Sequence, residues 1–168
     1  MKSDFSIKRV SKEDCALILT KYHYLSKISK GFKSGFNYGL FNYQDELVGV
    51  IIFTGFPVPE LSVGLFGVER SDQRGFFELS RLCLCPNIQA TEHNIASWFV
   101  SRAIRKLRAE TNVRAILSYA DNDFHSGTVY AASNFLYYGL SDEKKDFFVK
   151  QEDGTFAKKS RGKTKIIS

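Results

Sequence analysis

The stretch from Asn94 to Glu110 constrains the fold more than any other part of the chain. Ile95, Ala96, Phe99, Val100, Ala103 and Leu107 recur at helical spacing and make one apolar stripe, with Arg102, Arg105, Lys106 and Arg108 largely outside it. Such a helix must lay its stripe on another apolar layer. Candidate strands stand on either side. Phe76–Cys85 is apolar enough to lie centrally in a sheet, and Ala115–Tyr119 reads as a short buried strand that runs into Asp121.

The rest of the chain fills out the same picture. Phe5–Val10 reads as a strand, and Ser11 with Asp14 resembles a capping box opening a helix through Cys15, Leu17, Ile18, Leu19 and Tyr22. Ser26–Phe36 mixes lysines, glycines and phenylalanines and reads as an exposed loop. Tyr38–Tyr43 and Leu47–Thr54 are strands expected to pair antiparallel about the polar Asn42–Glu46 turn. Phe56–Gly75 is an excursion containing Pro and Gly. On Phe76–Cys85, strict alternation puts Phe77, Leu79, Arg81, Cys83 and Cys85 on one face and Glu78, Ser80, Leu82 and Leu84 on the other. A helix over Ser126–Leu136 and a strand over Phe147–Lys150, at the sheet edge, complete the order β, α, β, β, β, α, β, α, β. The fold class is α/β (α+β), with a mixed, partly antiparallel sheet flanked by helices.

At 168 residues, 43% hydrophobic and 25% charged, the chain has the size and composition of one folded domain, which excludes disordered, collagen-like and coiled-coil readings. The expected division is a domain over 1–150 and a basic tail over 151–168. No run approaches the roughly 18 residues of a membrane span, and MKSDFSIKRV lacks the apolar core of a signal peptide. Three cysteines are too few and odd in number for a disulfide framework. A reducing, cytoplasmic setting with no membrane partner is expected. Much of the charge lies at one end: of the net +6, positions 150–168 carry +4. A basic arm is the footprint of phosphate contact or, equally, a solubilising tail.

Four places can carry chemistry. The helix after the fourth strand offers unpaired N–H groups and the Ser97 hydroxyl to an anion; a solvated helix end is the alternative. Ser118 to Tyr130 concentrates Asp121, His125 and Tyr130 at a strand end, where open sheets place ligands. Alternatively, this is a polar loop in which Asp121 and Ser126 cap a helix. His23, beside Tyr24 at the end of the first helix, is either a catalyst or a helix-dipole partner. Arg81 interrupts an apolar strand and needs an anion, which is Glu78, another carboxylate or a bound phosphate. Cys83 and Cys85 lack the further Cys or His pair of a zinc set and read as free thiols.

Taken in order, Lys21-Tyr22-His23-Tyr24-Leu25, Glu78-Leu79-Ser80-Arg81-Leu82, Asn94 with Ala96-Ser97, Ser118-Tyr119-Ala120-Asp121, and His125-x-Gly127-Thr128-x-Tyr130 with Asn134 resemble the GNAT acyltransferase fold, and within it the Mom proteins of phage Mu and its relatives. The resemblance implies an enzyme that converts the N6 amino group of adenine in double-stranded DNA to a carbamoylmethylamino group, which blocks host restriction. It implies catalytic roles for His23, Tyr24, Arg81, Asp121 and Tyr130. It implies a small-molecule donor, acetyl-CoA or a related acyl donor, held by Leu84, Asn94, Ala96, Ser97, Ser118 and Asn134. Lys27, Lys30, Lys33, Lys158, Lys159 and Arg161 are the expected DNA contacts. Iron is associated with the family, with no ligands assignable here, and a dimer is left open. The usual glycine-rich pyrophosphate loop is replaced by Ala90–Ser97, which keeps an activated aminoacyl group open as donor. A conventional N-acetyltransferase of proteins or small amines, and a non-catalytic nucleic-acid binder, are the competing functions.

Overall fold

The computed structural model describes residues 4–23, 31–120, 127–139, 148–150 and 156–158. The chain divides into two compact units, residues 1–136 and 137–168.

The first unit is built on five strands in the order β1-β2-β3-β4-β5: β1 (Ser6–Arg9), β2 (Phe36–Phe41), β3 (Leu47–Gly55), β4 (Phe76–Leu84) and β5 (Ala115–Ser118). β1 to β4 pair antiparallel; β4 and β5 pair parallel. β3 is central and buried from Val48 to Thr54, as its continuous apolar run requires when both faces are covered. On one face lies α1 (Lys12–Tyr22), opened by the capping box between Ser11 and Asp14, whose Cys15, Ile18 and Leu19 pack on Val50, Ile52 and Cys83. On the other lies the long helix, which presses Ile95, Phe99, Val100, Ala103 and Leu107 onto Tyr38, Ile51, Phe53 and Leu79. Burial of each larger side chain in that stripe stabilises the layer by about 1.5–3 kcal/mol.

Several expectations shift for local reasons. β2 begins at Phe36 and ends at Phe41, because the Asn42 side-chain oxygen Oδ1 accepts from the amides of Gln44 and Glu46 and starts the turn early. The excursion holds a short helix, α2 (Glu60–Phe66), closed by Gly67 at φ 63°. A second short helix, α3 (Pro86–Thr91), fills the approach to the long helix, α4 (Ile95–Glu110). The helix expected over Ser126–Leu136 is only α5 (Thr128–Ala131): Gly127 before it has φ 74°, and Asn134 after it turns left-handed at φ 63°.

Strict alternation on β4 fails at a β-bulge. Ile52 pairs with Arg81 and Phe53 with Leu79, so Ser80 is the extra residue. Phe77 and Leu79 therefore share the α4 face with Leu82 and Leu84, while Arg81 and Cys83 face α1.

In the second unit β6 (Phe148–Lys150) pairs antiparallel with β7 (Phe156–Lys158). This two-stranded sheet replaces the expected position of Phe147–Lys150 on the edge of the main sheet.

Candidate functional site at a fork in the sheet

β4 and β5 are tied together at one end and part at the other. At the tied end the Gly75 carbonyl accepts from the Arg114 amide at 2.8 Å, and the Arg114 guanidinium lies 4.5 Å from the Phe76 ring centre while binding Asp72 at 2.7 Å. The ladder runs from Phe76–Ala115 to Leu79–Ser118 and stops. Beyond it, among the described residues, Ser80–Leu84 has β3 on one side and no strand on the other. The bulge falls at the same point, so the sheet both kinks and opens there.

The α4 face of this fork gathers Leu84, Ala96 and Tyr130, all packed on one apolar cluster. The Tyr130 ring sits 5.6 Å from that of Phe135, and the Ser133 hydroxyl reaches the Ser97 carbonyl at 3.5 Å, which holds α5 against the first turn of α4. Asn94 precedes that turn in left-handed conformation, φ 58°, with no side-chain cap. It supplies the positive φ that a glycine would otherwise provide. Its carbonyl accepts from the Trp98 amide and the Ser97 hydroxyl. The amides of Ala96 and Ser97 make no backbone hydrogen bond among the described residues. Asn134 lies one turn beyond α5, and its amide donates to Ala131.

The α1 face carries Arg81 and the end of α1. Arg81 is half-buried, and its guanidinium donates to the Ser80 carbonyl at 2.6 Å. That carbonyl belongs to the bulged residue. His23 caps α1, its amide donating to Leu19 at 3.0 Å. Beside it the Tyr22 hydroxyl, and more weakly the Cys85 thiol, hold the Lys21 ammonium above its ordinary value, which sets this end of α1 by the end of β4. Glu78 and Tyr119 join the same face at the fork, where burial and the Glu78 charge push the Tyr119 phenol up. Glu78 was a candidate anion for Arg81 and Tyr119 stood in a recognised motif without a role; their pairing follows from the parallel β4–β5 register.

Ser118 stands at the crotch itself, its hydroxyl 3.3 Å from the Leu79 carbonyl. The sheet separates His23 and Arg81 from Tyr130 and Ser97. Ala120 and Gly127 lie side by side: a Cβ at Gly127 would stand 3.8 Å from that of Ala120. Tyr24, Lys27, Lys30, Asp121, Lys159 and Arg161 lie outside the described residues, as do His125 and Ser126. Lys33 is exposed in the 31–34 loop, whose Phe32 packs on the α1-side cluster. Lys158 belongs to β7 in the second unit. No group of three His, Cys, Asp or Glu side chains suited to a metal occurs among the described residues. No described helix is long and apolar enough to cross a membrane.

The fold is that of the GNAT acetyltransferases. A ribosomal-protein-alanine N-acetyltransferase from Brucella melitensis biovar Abortus 2308 is similar at TM-score 0.57 and 14% identity, covering 85% of this chain and 99% of its own. An aminoglycoside acetyltransferase from an uncultured soil metagenomic sample, in complex with sisomicin, gives 0.53 and 12%, covering 83% and 99%. A GNAT family N-acetyltransferase from Escherichia coli in complex with CoA gives 0.54 and 12%, covering 79% and 69%. No individually curated protein matches the chain. The sequence pattern of the Mom protein family, however, matches residues 4–166, so nearly the whole chain, fork included, belongs to that family.

Proposed function

We propose that this protein is a transferase that modifies the N6 amino group of adenine in DNA, converting it to a carbamoylmethylamino group that shields the DNA from restriction. The observation that carries the reading is the fork at Leu79 and Ser118, where the pairing of β4 and β5 ends next to Arg81 in a Mom-family chain. In this reading the fork offers one face to a donor and the other to a base.

The α4 face fits a phosphate-bearing acyl donor. First-turn amides at Ala96 and Ser97, with no backbone partner among the described residues, suit an anion, and the left-handed Asn94 brings the backbone round without a glycine loop. The GNAT neighbour in complex with CoA supports a carrier of that kind. When bound, such a donor would supply an electrophilic carbon. For a carbamoylmethylamino product that carbon is the methylene that carries the leaving group, since attack at a thioester carbonyl would give an N6-acyl adenine. Leu84 and Ala96 give its chain an apolar wall, and Tyr130 is the acid that protonates the leaving group.

On the α1 face the base must leave the stack to reach the fork, which costs a few kcal/mol in duplex DNA. The N6 amine is weakly nucleophilic, its lone pair being shared with the ring. His23 or Asp121 accepts its proton as the N–C bond forms. Arg81, held by the Ser80 carbonyl, stabilises developing negative charge.

Challenging DNA from expressing cells with restriction enzymes tests this. DNA from cells making the wild-type protein resists enzymes whose sites contain adenine and is cut normally where sites lack it. Uniform cutting would reject the reading, and thioester turnover on proteins or small amines without DNA would favour a conventional acetyltransferase.

A further inference from the structure

The outward flank of α4 carries a groove that meets the proposed donor site only at Ser97. It encloses 660 Å³, with Phe5 and Ile7 on one wall and Trp98, Arg102, Arg105, Lys106 and Ala109 along the helix. A second depression of 280 Å³ shares Trp98, Arg102 and Arg105 and continues to Ser97 and Ala132, beside the first turn of α4. From Ser97 to Ala109 the trench spans about 18 Å of helix.

Its charge is one-sided. α4 carries four basic side chains against one carboxylate, Glu110, and Glu110 faces Arg9 at 3.8 Å. Arg102, Arg105 and Lys106 are exposed, and among the described residues none forms an ion pair. The Arg102 guanidinium lies 5.7 Å from the Trp98 ring centre, which braces it at the groove wall. A purely solubilising face needs neither a concave floor nor an aromatic brace. Cations one helical turn apart along a trench of this length match a row of anions rather than a single small one.

We infer that this groove docks sugar-phosphate backbone of the DNA substrate remote from the extruded nucleotide, which the proposed chemistry receives on the α1 face. The inference rests on the reading of the protein as a DNA-modifying enzyme and adds a surface outside the Lys27–Lys33 loop and the basic tail. Trp98 is half-buried and covered by Arg102, so the groove reads backbone charge and not base identity.

The test is binding of a labelled DNA duplex by the whole protein, followed by fluorescence anisotropy across a salt series. Arg102→Glu/Arg105→Glu lowers affinity at least about tenfold and reduces the slope of log K against log salt by about 1.8, two phosphate contacts' worth. Arg70→Glu/Arg74→Glu, an equal charge change beyond α2, leaves affinity within about twofold. If the double reversal unfolds in a thermal melt, Arg102→Gln/Arg105→Gln carries the same prediction. Unchanged affinity in the groove variant, equal losses in both pairs, or tighter groove-dependent binding of RNA than of DNA would overturn the assignment. Nucleoside analysis of cellular DNA separates the two readings. Unmodified adenine with groove-dependent binding removes the transferase and leaves the docking surface, whereas modified adenine with binding indifferent to Arg102 and Arg105 does the reverse.

Discussion

The Ser118 hydroxyl donates to the Leu79 carbonyl at 3.3 Å across the last paired residues of β4 and β5. The chemistry proposed for this protein depends on what happens one residue later, where Ser80 bulges, Arg81 swings to the α1 face and the strands part. The tie through Gly75 and Arg114 at the far end keeps the gap from widening along the whole ladder.

Arg81 is expected to act on the reaction and not on the fold. Arg81→Ala lowers adenine modification by about a hundredfold. Because the side chain is half-exposed, stability changes by less than about 1 kcal/mol. Arg81→Lys recovers part of the activity, since a point charge remains but the forked geometry is lost. Nucleoside yield read beside thermal melting separates the two effects.

Asn94 is valued for its left-handed backbone. Asn94→Gly keeps that conformation and leaves the apparent donor KM near wild type. Asn94→Val destabilises by about 1–2 kcal/mol and raises the donor KM, because a β-branched residue resists φ 58°. Steady-state kinetics with varied donor checks both.

Ser80 sets the phase of β4. Ser80→Ala removes a 3.3 Å hydrogen bond to the Ile52 carbonyl and costs about 1 kcal/mol. Deleting Ser80 removes the extra residue and keeps Leu79, Leu82 and Leu84 on the α4 face and Arg81 and Cys83 on the α1 face, so a folded protein with a regular β4 is expected. Thermal melting and circular dichroism check both outcomes.

Alkaline pH weakens the fold in a defined window. Burial pushes the Cys83 thiol up to about 12 and, with help from Asp14 and Glu13, the Cys15 thiol up to about 11, from an ordinary 9.0. Above the ordinary value the unfolded chain has released these protons and the folded chain has not. Stability from these groups is therefore complete below about pH 9 and falls as pH rises toward 11 and 12. Melting temperatures across that range should decline, and alkylation at lower pH should reach the half-exposed Cys85 before Cys15 or Cys83.

The layers were legible because they rest on long patterns. The α4 stripe and the continuous apolar run of β3 each specify a buried surface without reference to the rest of the chain. The bulge at Ser80 was not, since an extra residue leaves no mark on an apolar segment and shows only against the Ile52–Phe53 register. α2 and α3 span seven and six residues, too few for a periodic signal, and Gly64 interrupts the first. Of the site, the motif residues were visible singly, but the division of His23 and Arg81 from Tyr130 and Ser97 by the sheet was not. Arg102 and Arg105 read as a solvated face, because the groove around them also needs Phe5 and Ile7 from the opposite end of the unit's sequence.

Mass spectrometry of nucleosides from the DNA of cells expressing this protein measures the central claim most directly. A heavier adenine nucleoside carrying a carbamoylmethyl group, present with the wild-type chain and sharply reduced with Arg81→Ala, is the predicted result. Ordinary deoxyadenosine alone, recovered from cells that contain the folded wild-type protein, would contradict it.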